Sequence, residues 1–125
     1  MSGPLTLAVT LLEFHRGWAW VMVVANGAVG LWALAALWWP TARRSALWWC
    51  TGVAQVAIAV LVGVGVAVQS STGIEAPQIH VFYGFVALIA AALIYSYRQQ
   101  LREHVHLLYG FGGLFLMGLG IRAMV

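Results

Sequence analysis

Four histidines, at positions 15, 80, 104 and 106, are the side chains best suited to chemistry in this chain of 125 residues. An imidazole ring binds transition metals and haem iron, and it exchanges protons near neutral pH. Other reactive types are scarce, since the chain has three glutamates, no aspartate, no lysine and a single cysteine, Cys50. One cysteine excludes an internal disulfide and leaves no cysteine pair for a zinc or iron–sulfur site. The sequence contains no enzyme motif, which favours a non-enzymatic protein.

His15 and His80 both lie beside the start of a long apolar stretch. His15 comes two residues before the stretch that begins at Gly17, and His80 is the second residue of the stretch that begins at Ile79. The histidines at 104 and 106 belong instead to a polar break beside Glu103. Residues two apart point to different faces of a helix, so we expect no shared metal there and interpret this break as a solvated helix start.

The composition indicates which elements position these histidines. Hydrophobic residues make up 63% of the chain, only 7% of the residues are charged, and the mean hydropathy is +0.93. Six basic and three acidic residues cannot cover a soluble domain of 13.5 kDa, and a disordered chain needs low hydrophobicity. The arginines are scattered, whereas nucleic-acid binding needs a basic face. The composition therefore predicts a protein of the lipid bilayer.

Four apolar segments are long enough to cross a hydrocarbon core of about 30 Å. They span approximately residues 17–39, 46–68, 79–95 and 105–121. We predict an all-α, polytopic membrane protein in which four transmembrane helices form one up-down bundle and one domain. The apolar stretch within residues 1–14 is too short to cross and has no basic segment before it, so we expect no cleaved signal peptide. We interpret residues 1–14 as an outer interfacial helix or as an extension of the first crossing.

Arginines in the connections predict the orientation of the bundle. Arg43 and Arg44 lie between the first two segments, and Arg98 and Arg102 lie between the last two. Short loops rich in arginine remain in the cytoplasm. These two loops should therefore be inside, with both termini outside a bacterial plasma membrane.

On this topology His15 and His80 lie at the outer end of the bundle at similar depth. The first and third helices of an up-down bundle are diagonally opposite, so the two imidazoles can face each other across it. Such a pair is suited to be the axial ligands of one haem b, with Arg16 and Arg122 at the same end to pair with its propionates. The alternatives are that these histidines anchor the helices at the interface or take part in proton transfer.

Two amides lie near the middle of the membrane. Asn26 in the first segment and Gln55 in the second are at similar depth, which predicts an interhelical hydrogen bond between their side chains, with a polar ligand or ion site as the alternative. In the second segment, Ala59, Gly63 and Ala67 recur every four residues. This spacing is typical of a seam where another helix backbone comes close.

Three sequence runs carry a resemblance to a family. The run APQIHVFYGFVAL at 76–88 resembles part of a small uncharacterised family of actinobacterial integral membrane proteins with four transmembrane helices, and IYSYR at 94–98 and LLYGFGGLF at 107–115 are similar to it. The resemblance covers mainly the second half of the chain and implies a membrane location and four crossings. It implies no activity and no catalytic residues. His80 lies within the most distinctive run.

These observations lead to three functional hypotheses. The leading one is a non-enzymatic small integral membrane protein that is an accessory, assembly or scaffold component of a larger membrane complex. The alternative is a haem b-binding protein for electron transfer or haem handling, with His15 and His80 as axial ligands. The third is a homo-oligomeric pore or carrier lined by Asn26 and Gln55. The expected partners are thus the bilayer and either a larger complex or further copies of the chain.

Overall fold

The computed structural model describes residues 3–73 and 76–124, which form an all-α bundle. Its helices are α1 (Gly3–Trp38), α2 (Ser45–Thr72), α3 (Gln78–Ser96) and α4 (Val105–Met124). Single 3-10 turns at Pro40–Ala42 and Arg102–His104 come before α2 and α4. No strand occurs within the described ranges. The predicted fold class is confirmed.

Four helical stretches are long and apolar enough to cross a membrane, the last of them formed by α4 together with the 3-10 turn before it. These stretches have mean hydropathies between 1.5 and 2.2 and run over Val9–Trp38, Ser45–Ser71, Gln78–Ser96 and Arg102–Met124. Large apolar side chains point outwards, since Val53 is 69% exposed and Phe111 is 62% exposed. Such a surface is unfavourable in water, whereas acyl chains are as apolar as these side chains. The chain is a multi-pass membrane protein.

α1 is longer than the crossing predicted from the sequence. It begins at Gly3 and continues without a break into the crossing, so the part of residues 1–14 that is described extends the first helix. His15 consequently lies inside a helix and not before it. It shares one face with Ala19 and Met22, which are 8% and 2% exposed, because residues four and seven apart lie on the same side of a helix. This face directs His15 towards the bundle.

Glycines allow α1 and α4 to pack at backbone distance. A Cβ on Gly30 would lie 2.9 Å from the carbonyl oxygen of Gly110. A Cβ on Gly113 would lie 2.7 Å from the carbonyl oxygen of Asn26. Real Cβ atoms do not come this close, so both positions require glycine. Close packing supplies much of the attraction between helices in lipid, where apolar burial contributes little. The glycine-rich α4 thus builds its contact with α1 from backbone atoms.

The helices follow one another around the bundle in up-down order. α1 packs against α2 and α4, while α3 packs closely against α4 and only loosely against α2. α1 and α3 are therefore diagonally opposite, as predicted. Gly73 ends α2 in the left-handed conformation, with φ of 71°. α3 begins after Pro77, which places His80 in the first turn of α3.

Candidate functional site

The structure brings His15 and His80 together at one end of the bundle. Their ring centroids are 5.8 Å apart, and the ring planes meet at 69°. His15 belongs to α1 and His80 to α3, so the contact spans the diagonal between helices that are not neighbours. The two imidazoles that the sequence placed at similar depth are thus in direct contact.

A backbone carbonyl determines which ring nitrogen of His80 carries the proton. Its Nδ1 lies 2.9 Å from the carbonyl oxygen of Ala123, near the end of α4. A carbonyl can only accept, so Nδ1 donates and Nε2 keeps a free lone pair. Metal-binding histidines are commonly oriented in this way by a carbonyl on the second ring nitrogen. His80 therefore presents one nitrogen that is ready to act as a ligand.

The ring of His15 contains a buried nitrogen without a partner. Its Nδ1 is shielded from solvent and accepts or donates no hydrogen bond among the described residues. The ring lies against α2, where a Cβ on Gly65 would be 3.0 Å from Cε1 of His15 and where the backbone of Leu61 interacts with the same imidazole. An unpaired buried polar atom costs about 1–3 kcal/mol. Nδ1 lies on the α2 side of the ring, 3.5 Å from the position of a Cβ on Gly65.

Both rings line a cavity of about 610 Å³ at this end of the bundle. All four helices contribute to its wall, which is mostly apolar and includes the buried side chains of Met22, Ile58 and Leu119. Cofactor and ligand sites in proteins typically enclose about 300–1,000 Å³ and combine apolar walls with a few polar groups. The cavity has the size and polarity of a cofactor site, and His15 and His80 are among its few polar side chains.

The two arginines named from the sequence lie at the same end as this cavity. Arg16 is exposed and lines the cavity directly. Arg122 is also exposed, and its guanidinium carbon is 5.3 Å from the ring centroid of Tyr83, a residue of the cavity wall. Both guanidinium groups can therefore reach anionic groups at the edge of the cavity.

The ligand set restricts what the histidine pair can hold. No group of three or more histidine, cysteine, aspartate or glutamate side chains that could bind a metal ion occurs within residues 3–73 and 76–124. Protein sites for a bare zinc ion usually use three or four protein ligands. Haem iron receives four nitrogens from the porphyrin and needs at most two from the protein. Two histidines beside a large apolar cavity match the number of protein ligands that haem iron needs.

Asn26 connects α1 to α2, but its partner differs from the prediction. The side chain is 1% exposed, and its Nδ2 donates to the carbonyl oxygens of Met22 at 2.9 Å and of Ala54 at 3.1 Å. No hydrogen bond between Asn26 and Gln55 occurs in the described part of the chain, so a backbone carbonyl replaces the predicted side-chain acceptor. Successive helical residues are about 100° apart, and when Ala54 faces α1, Gln55 is turned aside. Asn26 therefore serves helix packing.

The opposite end of the bundle holds a ring cluster that the sequence interpretation missed. The Trp48 ring lies 5.2 Å from that of His106 and 5.5 Å from that of Tyr109, measured between centroids. His106 was interpreted only as part of a solvated helix start, because hydropathy does not tell which side of α2 faces α4. The matching depth of Trp48 and His106, both near the start of their helices, was the available signal.

No protein-family model, no curated protein and no solved structure matches this chain, so the resemblance to actinobacterial membrane proteins stays a prediction.

Proposed function

We propose that this chain is a haem b-binding membrane protein in which His15 and His80 supply the two axial ligands. The observation that carries the proposal is the imidazole pair itself, with ring centroids 5.8 Å apart on the wall of a cavity of about 610 Å³. This was the alternative hypothesis from the sequence, and the contact between the rings now favours it over the scaffold role.

The spacing of the rings fits two ligands of one metal. Bonds from a metal to an imidazole nitrogen are about 2.0–2.1 Å long, so two histidines that share one metal must have their rings close together. The ring centroids of His15 and His80 are 5.8 Å apart, which would allow both residues to hold one group. His80 also has a nitrogen to offer, since its Nε2 keeps a lone pair while Nδ1 donates to the Ala123 carbonyl oxygen.

The surroundings fit the rest of a haem. The apolar wall suits the porphyrin ring, and Arg16 and Arg122 are placed to pair with propionates at the edge of the cavity. Two histidine ligands leave iron no open position, so the bound group would supply one-electron transfer and not activation of a small molecule. His15 and His80 would hold and orient the group, and the apolar wall would keep water from it. Electron transfer or haem handling is the corresponding function.

A visible spectrum tests this proposal. The protein is expressed in haem-sufficient cells, purified in mild detergent, and measured as a reduced-minus-oxidised difference spectrum. We expect Soret and α bands at stoichiometric haem, greatly weakened in His15→Ala and His80→Ala but retained in His104→Ala, which removes an exposed histidine at the other end. Helical circular dichroism shows whether each variant is folded. A folded, colourless wild-type protein would refute the proposal.

The accessory, assembly or scaffold role is the second candidate, and the outer face of α2 favours it. Ala59, Gly63 and Ala67 are all exposed, and a Cβ on Gly63 would meet no atom within 4 Å. This small-residue seam is not used within the bundle, so a helix of a larger complex or of a second copy can approach it. A colourless protein that co-purifies with a stoichiometric partner, and loses it in Gly63→Leu, would support this role instead of haem binding.

We also propose that the protein lies in the bacterial plasma membrane with both termini outside. The support is the placement of Arg43, Arg44, Arg98 and Arg102 in the two connections at one end of the bundle. On this orientation the histidine cavity opens in the outer half of the membrane. Labelling of single cysteines at the two ends of the bundle with a membrane-impermeant thiol reagent tests this orientation.

A further inference from the structure

The end of the bundle opposite the histidine cavity has a second, independent group of polar side chains. It consists of Arg43, Trp48, Arg98, His106 and Tyr109, and we call it the arginine-end cluster. Its centre is the Trp48 ring, which contacts the rings of His106 and Tyr109 at centroid distances of 5.2 and 5.5 Å. These contacts join α2 to α4 across the second diagonal of the bundle. The cluster shares no residue with the proposed haem site.

Two guanidinium groups at this end of the bundle are held by backbone carbonyl oxygens. Nε of Arg43 donates to the carbonyl oxygen of Ala36 at 2.6 Å and its Nη2 donates to that of Leu37 at 3.3 Å, which satisfies carbonyls at the end of α1. Arg98 lies over the Tyr95 ring, 3.7 Å from its centroid, and its Nη1 donates to the Tyr95 carbonyl oxygen at 2.8 Å. A guanidinium carries five N–H donors, so both arginines keep donors for a further acceptor.

Two further polar groups of the cluster lie on α4. His106 and Tyr109 are three residues apart, and the rings of both contact Trp48. Neither the imidazole of His106 nor the hydroxyl of Tyr109 makes a hydrogen bond to the described residues, and both belong to the same face of α4. The cluster therefore presents two cations, an imidazole and a phenol at one end of the bundle.

Charge and depth both indicate the class of ligand. The two connections at this end contain four arginines and a single glutamate, Glu103. The apolar stretches of α1 and α3 end at Trp38 and Ser96, so Arg43 and Arg98 lie just beyond the apolar stretches, at the depth of lipid headgroups. Arginine binds phosphate through two parallel hydrogen bonds, and basic pockets between helices at this level bind anionic headgroups.

We propose that the arginine-end cluster binds the phosphate group of one anionic phospholipid between Arg43 and Arg98. His106 and the Tyr109 hydroxyl donate further hydrogen bonds to the headgroup. The ring of Trp48 packs beside it and holds α2 and α4 in place. The acyl chains extend along the exposed apolar surface of the bundle, which a free phosphate does not require.

Lipid binding to the purified protein tests the site. The delipidated protein is titrated with phosphatidylglycerol, phosphatidylcholine or inorganic phosphate, and bound lipid is counted by native mass spectrometry. We expect one tightly retained phosphatidylglycerol and about tenfold weaker binding in Arg43→Gln and Arg98→Gln. The matched control is Arg102→Gln, which removes the same charge from a side chain that contacts no member of the cluster among the described residues. It should change the affinity less than twofold.

Each other outcome overturns the proposal. If all three arginine variants lose the same amount of affinity for phosphatidylglycerol, the lipid is attracted by net charge and not by a site. If inorganic phosphate binds as tightly as phosphatidylglycerol, the site is one for the free ion. Arg43→Gln also removes the bonds that end α1, so Tyr109→Phe provides a variant that loses one hydroxyl only and should bind several-fold more weakly. Unchanged lipid affinity in folded Arg98→Gln and Tyr109→Phe would also contradict the site.

Discussion

Replacing Gly65 with alanine should displace His15 and weaken haem binding. A Cβ at Gly65 would lie 3.0 Å from Cε1 and 3.5 Å from Nδ1 of the His15 ring. Carbon atoms pack best about 3.5–4.0 Å apart, so the ring has to move by about 0.5 Å or tilt away from α2. The ring is confined, because it also contacts His80 across the cavity. The added methyl group therefore acts directly on the distance between the two proposed ligands.

The size of the effect follows from the cost of holding a side chain away from its preferred geometry. A torsion about 30° from its optimum costs about 0.5–1.5 kcal/mol, which corresponds to a loss of haem affinity of about two- to tenfold. Alanine is at the same time the better helix former by up to about 1 kcal/mol. The strain at His15 offsets this gain in the apoprotein, so the stability of the apoprotein should change little while its haem affinity falls. A general loss of folding would lower the stability of the apoprotein and the haem affinity together.

The assay is a haem titration in detergent, followed by Soret absorbance, with thermal unfolding of the apoprotein measured alongside. Gly63→Ala is the matched control, since Gly63 lies on the same helix and a Cβ there meets nothing within 4 Å. We expect the haem dissociation constant to rise in Gly65→Ala and to stay unchanged in Gly63→Ala. Equal haem affinities in the two variants would refute the placement of His15 beside α2 as a ligand.

Two further predictions concern packing and orientation. Gly113→Ala should lower the free energy of unfolding by about 1–3 kcal/mol, because its Cβ would lie 2.7 Å from the backbone oxygen of Asn26, while Gly118→Ala, with free space around it, should be nearly neutral in the same denaturation assay. In a cysteine-free background, a membrane-impermeant thiol reagent added to intact cells should label Ser70→Cys and not Thr41→Cys, and the reverse pattern would invert the proposed topology.

Hydropathy was sufficient to predict the number of helices and their order around the bundle. Four long apolar stretches with short connections permit few arrangements, and the diagonal relation of α1 and α3 follows from up-down order. The similar depth of His15 and His80 could therefore be deduced by counting residues from the helix ends. The sequence leaves two interpretations of residues 1–14, an interfacial helix or an extension of the first crossing, since a short apolar segment has the same composition in both. The structure has the extension, with α1 beginning at Gly3.

The rotation of each helix about its axis could not be predicted. In lipid the outward and inward faces are equally apolar, so Leu31 at 61% exposure and Ala33 at 0% differ little in hydropathy. For the same reason the sequence could not show that the side chain of Asn26 donates its interhelical hydrogen bond to the Ala54 carbonyl oxygen and not to the side chain of Gln55. The contact of Trp48 with His106 likewise depends on two rotations that no periodic pattern marks.

The spin state of the bound iron tests the central claim most directly, because it reports how many histidines bind it. Electron paramagnetic resonance of the oxidised, haem-loaded protein should show a low-spin ferric signal, as expected of iron with two imidazole ligands. In His15→Ala and in His80→Ala, the haem that remains bound should be high-spin, since one ligand is missing. A low-spin signal that persists unchanged in either variant would contradict the assignment of His15 and His80 as the axial pair.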